Sequence, residues 1–470
     1  MGVLTALFGA GMLMPAFVAY FYNTGHTDDF ILAGCITILI GLSLIRDMGP
    51  APQHLSHRDG FLIVAMAWLI LSCLGAVPFW TTGACHSVMD GLFESASGMT
   101  TTGATVLAGL DAMPPSILFW RSMQQWLGGM GIIVLTVAVL PLLGVGGMQL
   151  MRAEIPGPIK DKLTARVTET AKVLWFIYLA MTVACALAFW FAGMTVFDAI
   201  NHAMTTLSTG GFSTHDASFG YFTQLSLRWT AILFMFLAGT NFTLHFAAMR
   251  RGIPLAVYVR DDEFIAYFKW VAILVALIGL LVIPVSAGNF SDVVFNIVSV
   301  VTSTGFATND YSLWPHGTTL LFLAATLVGG SAGSTAGGIK VVRVLLLFRQ
   351  GMREIGRLIH PHAIIPVRFG KRSLSNEVMQ SIWGFFALFM LCFAVLAVAV
   401  ACTGVDMITA ISAVAACISN TGPGFGQVGP ASNYAGLPDI AKGILFLGMI
   451  MGRLEIFTLF VLIVPGFWRH

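Results

Sequence analysis

Four times along this chain an aspartate opens a short apolar stretch that ends, 12 to 16 residues later, in a polar turn closed by Thr-Gly. The copies run from Asp90 to Thr101-Thr102-Gly103, from Asp198 to Ser208-Thr209-Gly210, from Asp292 to Ser303-Thr304-Gly305 and from Asp406 to Asn420-Thr421-Gly422. Their glycines lie 107, 95 and 117 residues apart. One aspartate before an apolar stretch reads as a helix cap, and one Thr-Gly reads as a turn. Four copies in the same setting imply four like-oriented units whose turns can share an axis. A ring of backbone carbonyls on such an axis can replace the hydration shell of a cation.

Long apolar runs separate the copies. Only 10% of the 470 residues are charged and 57% are hydrophobic, too few charges to cover a soluble protein of this size. Runs longer than 18 residues suffice to cross about 30 Å of hydrocarbon. Ten spans are expected: 3–22 and 29–46, then the pairs 60–80 and 116–143, 171–192 and 224–249, 266–286 and 317–348, and 378–402 and 438–466. The chain therefore reads as an all-α polytopic membrane protein. Two N-terminal spans (1–50) precede four tandem span–pore helix–span repeats, at 51–150, 151–258, 259–365 and 366–470, around a pseudo-fourfold pore. The first run lacks a basic leader region and reads as a retained span. The seven cysteines (35, 73, 85, 185, 392, 402 and 417) include no CxxC and read as small apolar residues, not as a disulfide framework or metal site.

Basic residues test this layout. Twenty of the 24 Lys and Arg fall on one side of it, mostly within 152–172, 250–269 and 340–372. Arg121, Arg228 and Lys442 fall on the other side, and Arg453 falls inside a span. The positive-inside rule then places both termini and the basic loops in the cytoplasm of a bacterial inner-membrane protein, with the Thr-Gly turns facing outward. The basic loops fit contact with anionic lipid head groups and equally fit a docking surface for a cytoplasmic partner.

The four short stretches cannot cross a bilayer and read as re-entrant half-helices, since irregular backbone at membrane depth needs protein or a water-filled cavity around it. Asp90, Asp198, Asp292 and Asp406 are expected to cap them. The C-terminal ends then point inward with partial negative charge, and glycine lets the next turn take left-handed dihedrals. Oxygen ligands without a fixed carboxylate suit a monovalent cation better than calcium. The expected ion site is Thr101, Thr102, Gly103, Ser208, Thr209, Gly210, Ser303, Thr304, Gly305, Asn420, Thr421 and Gly422.

Two further features lie on the cytoplasmic side of the turns. The eighth span is broken by Gly329-Gly330-Ser331-Ala332-Gly333-Ser334-Thr335-Ala336-Gly337-Gly338, followed by Lys340. Glycine costs a helix about 1 kcal/mol relative to Ala, so this stretch reads as a loop entering the pore and gating it, or else as close helix packing through small residues. It is not a phosphate-binding loop, because Gly-Lys-Ser/Thr is missing. Arg453, a costly charge at membrane depth, reads as a positive barrier facing the pore or as one half of a structural ion pair. Glu455 is about 200° around the helix from it and a poor partner.

These motifs closely resemble the TrkH/TrkG/KtrB potassium-uptake family, within the superfamily of K⁺ transporters. The resemblance covers essentially the whole chain. It is carried by Ser97-Gly98-Met99-Thr100-Thr101-Thr102-Gly103-Ala104-Thr105, Gln125-Trp126-Leu127-Gly128-Gly129-Met130-Gly131, Leu207-Ser208-Thr209-Gly210-Gly211-Phe212-Ser213, Thr302-Ser303-Thr304-Gly305-Phe306 and Met451-Gly452-Arg453-Leu454-Glu455. The two extra N-terminal spans resemble the Trk branch. The resemblance implies a channel-like subunit that transports K⁺, a homodimer with one pore per protomer, and a cytoplasmic TrkA-type nucleotide-binding regulatory partner. It implies that Gly103 goes with potassium, where a serine goes with sodium. The fourth copy departs most, with its longer approach from Asp406 and Pro423 after the glycine. The rival reading is a sodium- or proton-coupled symporter, which usually carries buried carboxylates near broken helices; Glu94 is the only acid close to one of these turns. No nucleophile constellation, HExxH or dinucleotide fingerprint points to an enzyme, and no organic cofactor or nucleic-acid partner is expected.

Overall fold

The computed structural model describes residues 1–46, 57–134, 160–251, 254–284, 289–370 and 372–468. These residues are mostly helical; the strands among them are the two-residue pair β1 (Arg368–Phe369) and β2 (Arg372–Ser373). Helices α1 (Gly2–Gly11) and α2 (Leu13–Phe21) pack on α3 (Thr27–Arg46). The contact is made through small residues: a Cβ on Gly9 would come within 2.8 Å of the Gly34 carbonyl oxygen. Such close backbone approach is how helices associate without a hydrophobic driving force between them.

Four successive groups of helices follow. The first contains α4 (His57–Thr81), α5 (Val88–Met99) and α6 (Pro115–Val134). The second contains α7 (Lys160–Phe191), α8 (Val196–Leu207), α9 (Leu225–Ala238) and α10 (Phe242–Arg251), with the short α11 (Pro254–Val259) after it. The third contains α12 (Asp262–Val282), α13 (Phe290–Val301), α14 (His316–Val328) and α15 (Val341–Ile359). The fourth contains α16 (Asn376–Ala401), α17 (Met407–Ile418), α18 (Asp439–Arg453), α19 (Phe457–Ile463) and α20 (Pro465–Trp468).

Among the described residues, six helices are long and apolar enough to cross a membrane, or eight if each of two bent pairs is one span. Two of the ten expected spans prove to be bent, and the eighth, read as broken, is interrupted. The run 224–249 bends by 94° between α9 and α10, where Asn241 Oδ1 accepts the Thr243 amide at 2.9 Å and starts a new helix. The run 438–466 bends by 109° between α18 and α19, with Glu455 and Ile456 both in the left-handed region, at φ 54° and 53°. The run 317–348 is interrupted from Gly329 to Lys340. Arg453 therefore stands at the end of a helix and not within a continuous span. In each case the freed backbone groups are met by protein, the condition for a break at this depth. The run 116–143 is helical to Val134; residues 135–159 lie outside the described set, as do the 150/151 repeat boundary, Arg152, Lys371 and Arg469.

The helices α5, α8, α13 and α17 each have 12 residues, about 18 Å at 1.5 Å per residue, well short of the hydrocarbon thickness. Their last turns are buried on every side. The longer helices surround them: α5 packs on α4, α6 and α18, α13 on α9, α12 and α14, and α17 on α14, α16 and α18.

Candidate functional site

The equal lengths of the four half-helices bring their C-terminal turns into one register. Thr100, Ser208, Thr302 and Ser419 are the C-caps. The next residues, Thr101, Thr209, Ser303 and Asn420, all have left-handed backbone, with φ between 51° and 54°. One residue further, the amides of Thr102, Gly210, Thr304 and Thr421 bond back to the carbonyls of Ser97, Thr205, Ser299 and Ala416 at 2.8–2.9 Å. This is the Schellman ending of a helix, in which glycine usually holds the left-handed position. Thr, Ser and Asn hold it here, at a cost of order 1 kcal/mol each that the surrounding packing must over-determine.

One residue further still come Gly103, Gly211, Gly305 and Gly422, at φ 81°, 75°, 83° and 96°. This corrects the second copy: its equivalent triplet is Thr209-Gly210-Gly211, and the expected Ser208 is the helix cap. Thr-Gly aligned the copies by residue type, whereas the backbone aligns them by the left-handed residue that ends each helix. The fourth copy, the most divergent in sequence, keeps the common geometry.

Contacts among the four turns close a cycle. A Cβ added to Gly103 would overlap the Gly210 carbonyl oxygen, one on Gly211 the Thr304 oxygen, one on Gly305 the Thr421 oxygen, and one on Gly422 would crowd the Thr102 oxygen. Four like carbonyls thus lean on four like glycines, from the first turn to the second, third, fourth and back to the first. A cavity beside this cycle is lined by all four glycines together with Arg121, His215, Asp216 and Tyr434.

Side chains brace the turns differently in each quarter. Thr100 and Thr102 hydroxyls bond at 2.7 Å, and Thr302 and Thr304 at 2.8 Å. Gln125 donates to the Gly210 carbonyl at 2.7 Å and accepts the Phe212 amide at 3.1 Å. Asn420 donates to Thr102 Oγ1 and to the Met449 carbonyl, both at 3.0 Å. Tyr434 donates to the Gly422 carbonyl at 2.7 Å. Asn420, Gln125 and the threonines all lie in motifs marked in the sequence, and Gln125 reaches a turn 85 residues away; Tyr434 lay outside every marked motif.

The four aspartates do not share one role. Asp406 is the N-cap of α17 and accepts the Thr409 amide at 3.0 Å. Asp90, Asp198 and Asp292 are not caps: each is the third residue of its helix, and Ser87, Thr195 and Asn289 hold the cap positions. Thr409 occupies their place in the fourth copy, which explains its longer approach. Each of the three has another partner. Asp90 pairs with Lys442 at 2.6 Å and Asp292 with Arg228 at 2.8 Å. Asp198 accepts from Thr195 and Thr214, both at 2.7 Å, with His215 Nε2 3.5 Å away.

Arg228 and Lys442 are two of the three cations that broke the charge asymmetry of the sequence. The third, Arg121, is buried against Glu94 at 2.7 Å. It also donates to the Ser213 carbonyl and to Thr105, and stacks on Phe212. Glu94 accepts from Thr105 and from the Val106 amide. Each exceptional cation thus neutralises a carboxylate on one of the half-helices. Outside the spans, His215 Nδ1 lies 2.5 Å from Asp111 Oδ1. Burial alone would depress this imidazole, but its bonds to Asp198 and Asp111 outweigh burial and raise its pKa. The His215 bond in turn lowers that of Asp111.

On the other side of the cycle, the stretch from Gly329 to Lys340 folds as a buried irregular loop, not as close-packed helix. Thr335 Oγ1 donates to the carbonyls of Leu207 and Ala238, at 3.1 and 3.3 Å. The Gly337 amide donates to Ser303 Oγ at 2.6 Å, and a Cβ on Gly337 would overlap the Ser419 carbonyl oxygen. Gly330 accepts the Val341 amide, Ser331 donates its amide to Gly239, and Ser334 closes a turn on Ser331 at 2.6 Å. Gly333 accepts the Phe242 amide at 3.0 Å. Lys340, itself left-handed at φ 82°, donates to the Ala336 carbonyl. Arg453 donates to the Thr335 carbonyl at 3.0 Å and to the Gly128 carbonyl at 3.2 Å. Its expected poor partner, Glu455, pairs instead with Arg343 at 2.6 Å. A second cavity is lined by Asn420, Gly337, Lys340, Arg453 and Glu455. All seven cysteines are free.

Comparison with known proteins agrees with this architecture. Residues 26–468 match the family model of TrkH, described as a cation transport protein. The chain is 46% identical to the Trk system potassium uptake protein TrkH of Vibrio parahaemolyticus, covering 100% of this chain and 98% of that one. It is 45% identical to the TrkH of Escherichia coli strain K12, with the same coverage, and 39% identical to the TrkG of that strain, covering 97% of it. The crystal structure of the potassium transporter TrkH from Vibrio parahaemolyticus superposes with a TM-score of 0.92 at 43% identity, over 100% of this chain and 98% of that one. The chain, a helical polytopic membrane protein, belongs to the TrkH family of cation transport proteins.

Proposed function

We propose that this protein carries potassium ions into the bacterial cell across the cytoplasmic membrane, through a channel-like pore on the axis of the four turns. The observation that carries this reading is the closed cycle of four equivalent backbone turns, each with a left-handed residue and a glycine at like positions. The inward C-terminal ends of four half-helices lend the site partial negative charge. Residues 101–103, 209–211, 303–305 and 420–422 act as the selectivity filter, and K⁺ is cargo, not a resident cofactor. The loop containing Gly330, Ser331, Gly333, Ser334, Thr335 and Gly337 gates the pore from the cytoplasmic side, with Lys340 and Arg453 holding it. The relatives named above are Trk system potassium uptake proteins, which supports the choice of ion. It also supports work within a multi-component system, as a homodimer with a TrkA-type nucleotide-binding partner at its cytoplasmic face.

Passive permeation is favoured over symport because Glu94, the acid that the sequence places close to a filter turn, is already held by Arg121, Thr105 and the Val106 amide. Rubidium uptake into proteoliposomes tests this. Uptake without a sodium or proton gradient is expected; strict dependence on either gradient overturns the channel reading, and no uptake overturns transport. Deleting 331–336 is expected to raise the flux.

A further inference from the structure

We propose that Glu263 is a positioning residue for the loop 329–340, latching it in the closed arrangement; the inference rests on the gating role given to that loop above. Glu263 is the second residue of α12, far in sequence from every motif that points to the pore. Its side chain is buried, and Oε1 accepts the Ala332 amide at 2.6 Å. Asp261 caps the same helix through the Phe264 amide at 2.7 Å.

The loop is otherwise tied by neutral groups, to Gly239, Phe242, Leu207 and Ser303. Two side chains from other elements grip its backbone, three residues apart. Glu263 takes an N–H at Ala332, and Arg453 gives to a carbonyl at Thr335. Leaving a buried amide unpaired is costly. Arg453 anchors the half of the loop nearest the turns, and Glu263 anchors the half that must swing if the loop is to leave the axis. Asp262, next in the chain, faces away and pairs with Arg349 and the Gly370 amide. It is therefore a control with a carboxyl group at the same helix end and no loop contact.

The test is rubidium flux and potassium-over-sodium selectivity in proteoliposomes holding the full-length protein. Glu263→Ala is expected to raise resting flux roughly tenfold, the order set by losing one hydrogen bond to a buried amide, with selectivity unchanged. Glu263→Gln keeps an acceptor oxygen in place and is expected to restore the low flux. Glu263→Asp draws the oxygens back by one methylene and is expected to leak like alanine, which keeps the test open if the alanine variant fails to assemble. Asp262→Asn is expected to behave as wild type. Wild-type flux in Glu263→Ala and Glu263→Asp, in vesicles where deletion of 331–336 leaks, overturns the latch and leaves the gate standing. If the deletion does not leak either, the gate falls and the latch with it. Equal leakage from Asp262→Asn also overturns the latch, because the effect then belongs to the helix end.

Discussion

Gly103 and Gly210 meet across the boundary of two repeats: the Gly210 carbonyl oxygen rests where a Cβ on Gly103 would stand. Gly103 is also left-handed, at φ 81°, a region that costs a non-glycine residue about 1–2 kcal/mol. Gly103→Ser therefore strains one turn and pushes its neighbour's carbonyl aside. The expected outcome is loss of potassium-over-sodium discrimination with retained flux, read by potassium-limited growth of a transport-deficient strain and by ion-competition uptake. Unchanged selectivity would argue that this carbonyl ring does not face the ion.

Ser303 joins the turn and the loop. Its hydroxyl accepts the Gly337 amide at 2.6 Å, so Ser303→Ala leaves a buried N–H without its partner at a cost of about 1–3 kcal/mol. Resting rubidium flux should rise, while Ser303→Thr, which keeps the hydroxyl, should stay near wild type. Matching flux in the alanine variant would remove this bond from the gating contacts.

Arg121 and Glu94 form a buried pair whose members also hold the loops that follow the first two turns. Breaking a buried pair by removing one partner typically costs about 3–5 kcal/mol. Arg121→Ala should lower the thermal unfolding midpoint in detergent by many degrees. Arg121→Lys should recover only part of it, because an ammonium cannot reach Glu94, Thr105 and the Ser213 carbonyl at once. A midpoint unchanged in the alanine variant would show that the pair is not a stabilising element.

The His215–Asp111 contact makes stability depend on pH. The His215 pKa is raised above its ordinary 6.5. Its stabilising contribution is therefore complete below 6.5 and is lost as pH rises through the raised folded value. Asp111 is lowered below its ordinary 3.8, so its contribution is present above 3.8 and is lost as pH falls through the lowered value. The contact is strongest between these two ordinary values. Unfolding midpoints of wild type should fall as pH rises from about 6 to 9, and His215→Asn should flatten that slope. Parallel profiles in the two proteins would exclude the pair as the titrating element.

Much of the fold was legible because its cues are local. Apolar length marks spans, and glycine density marked the break at Gly329–Gly338. The bend at Leu454–Ile456 was not legible: no glycine or proline lies there, and left-handed backbone at Glu455 and Ile456 is held by packing. The aspartates were legible as a recurring feature but not as a single role. Whether Asp90 caps its own helix or pairs with Lys442, 352 residues away, depends on which helix packs beside it. Glu263 was invisible for the same reason, since its partner Ala332 lies 69 residues away.

The order of amino acids by itself determined that this chain spans a membrane and that four polar turns recur between apolar runs. Hydropathy, charge and turn propensity act over a few residues, so they survive without coordinates. Only the tertiary structure decided the register of the second turn, with Gly211 in place of Gly210, and the cyclic contact of all four. Both follow from where one backbone carbonyl meets another repeat's Cα, and that approach is made by helices a hundred residues apart.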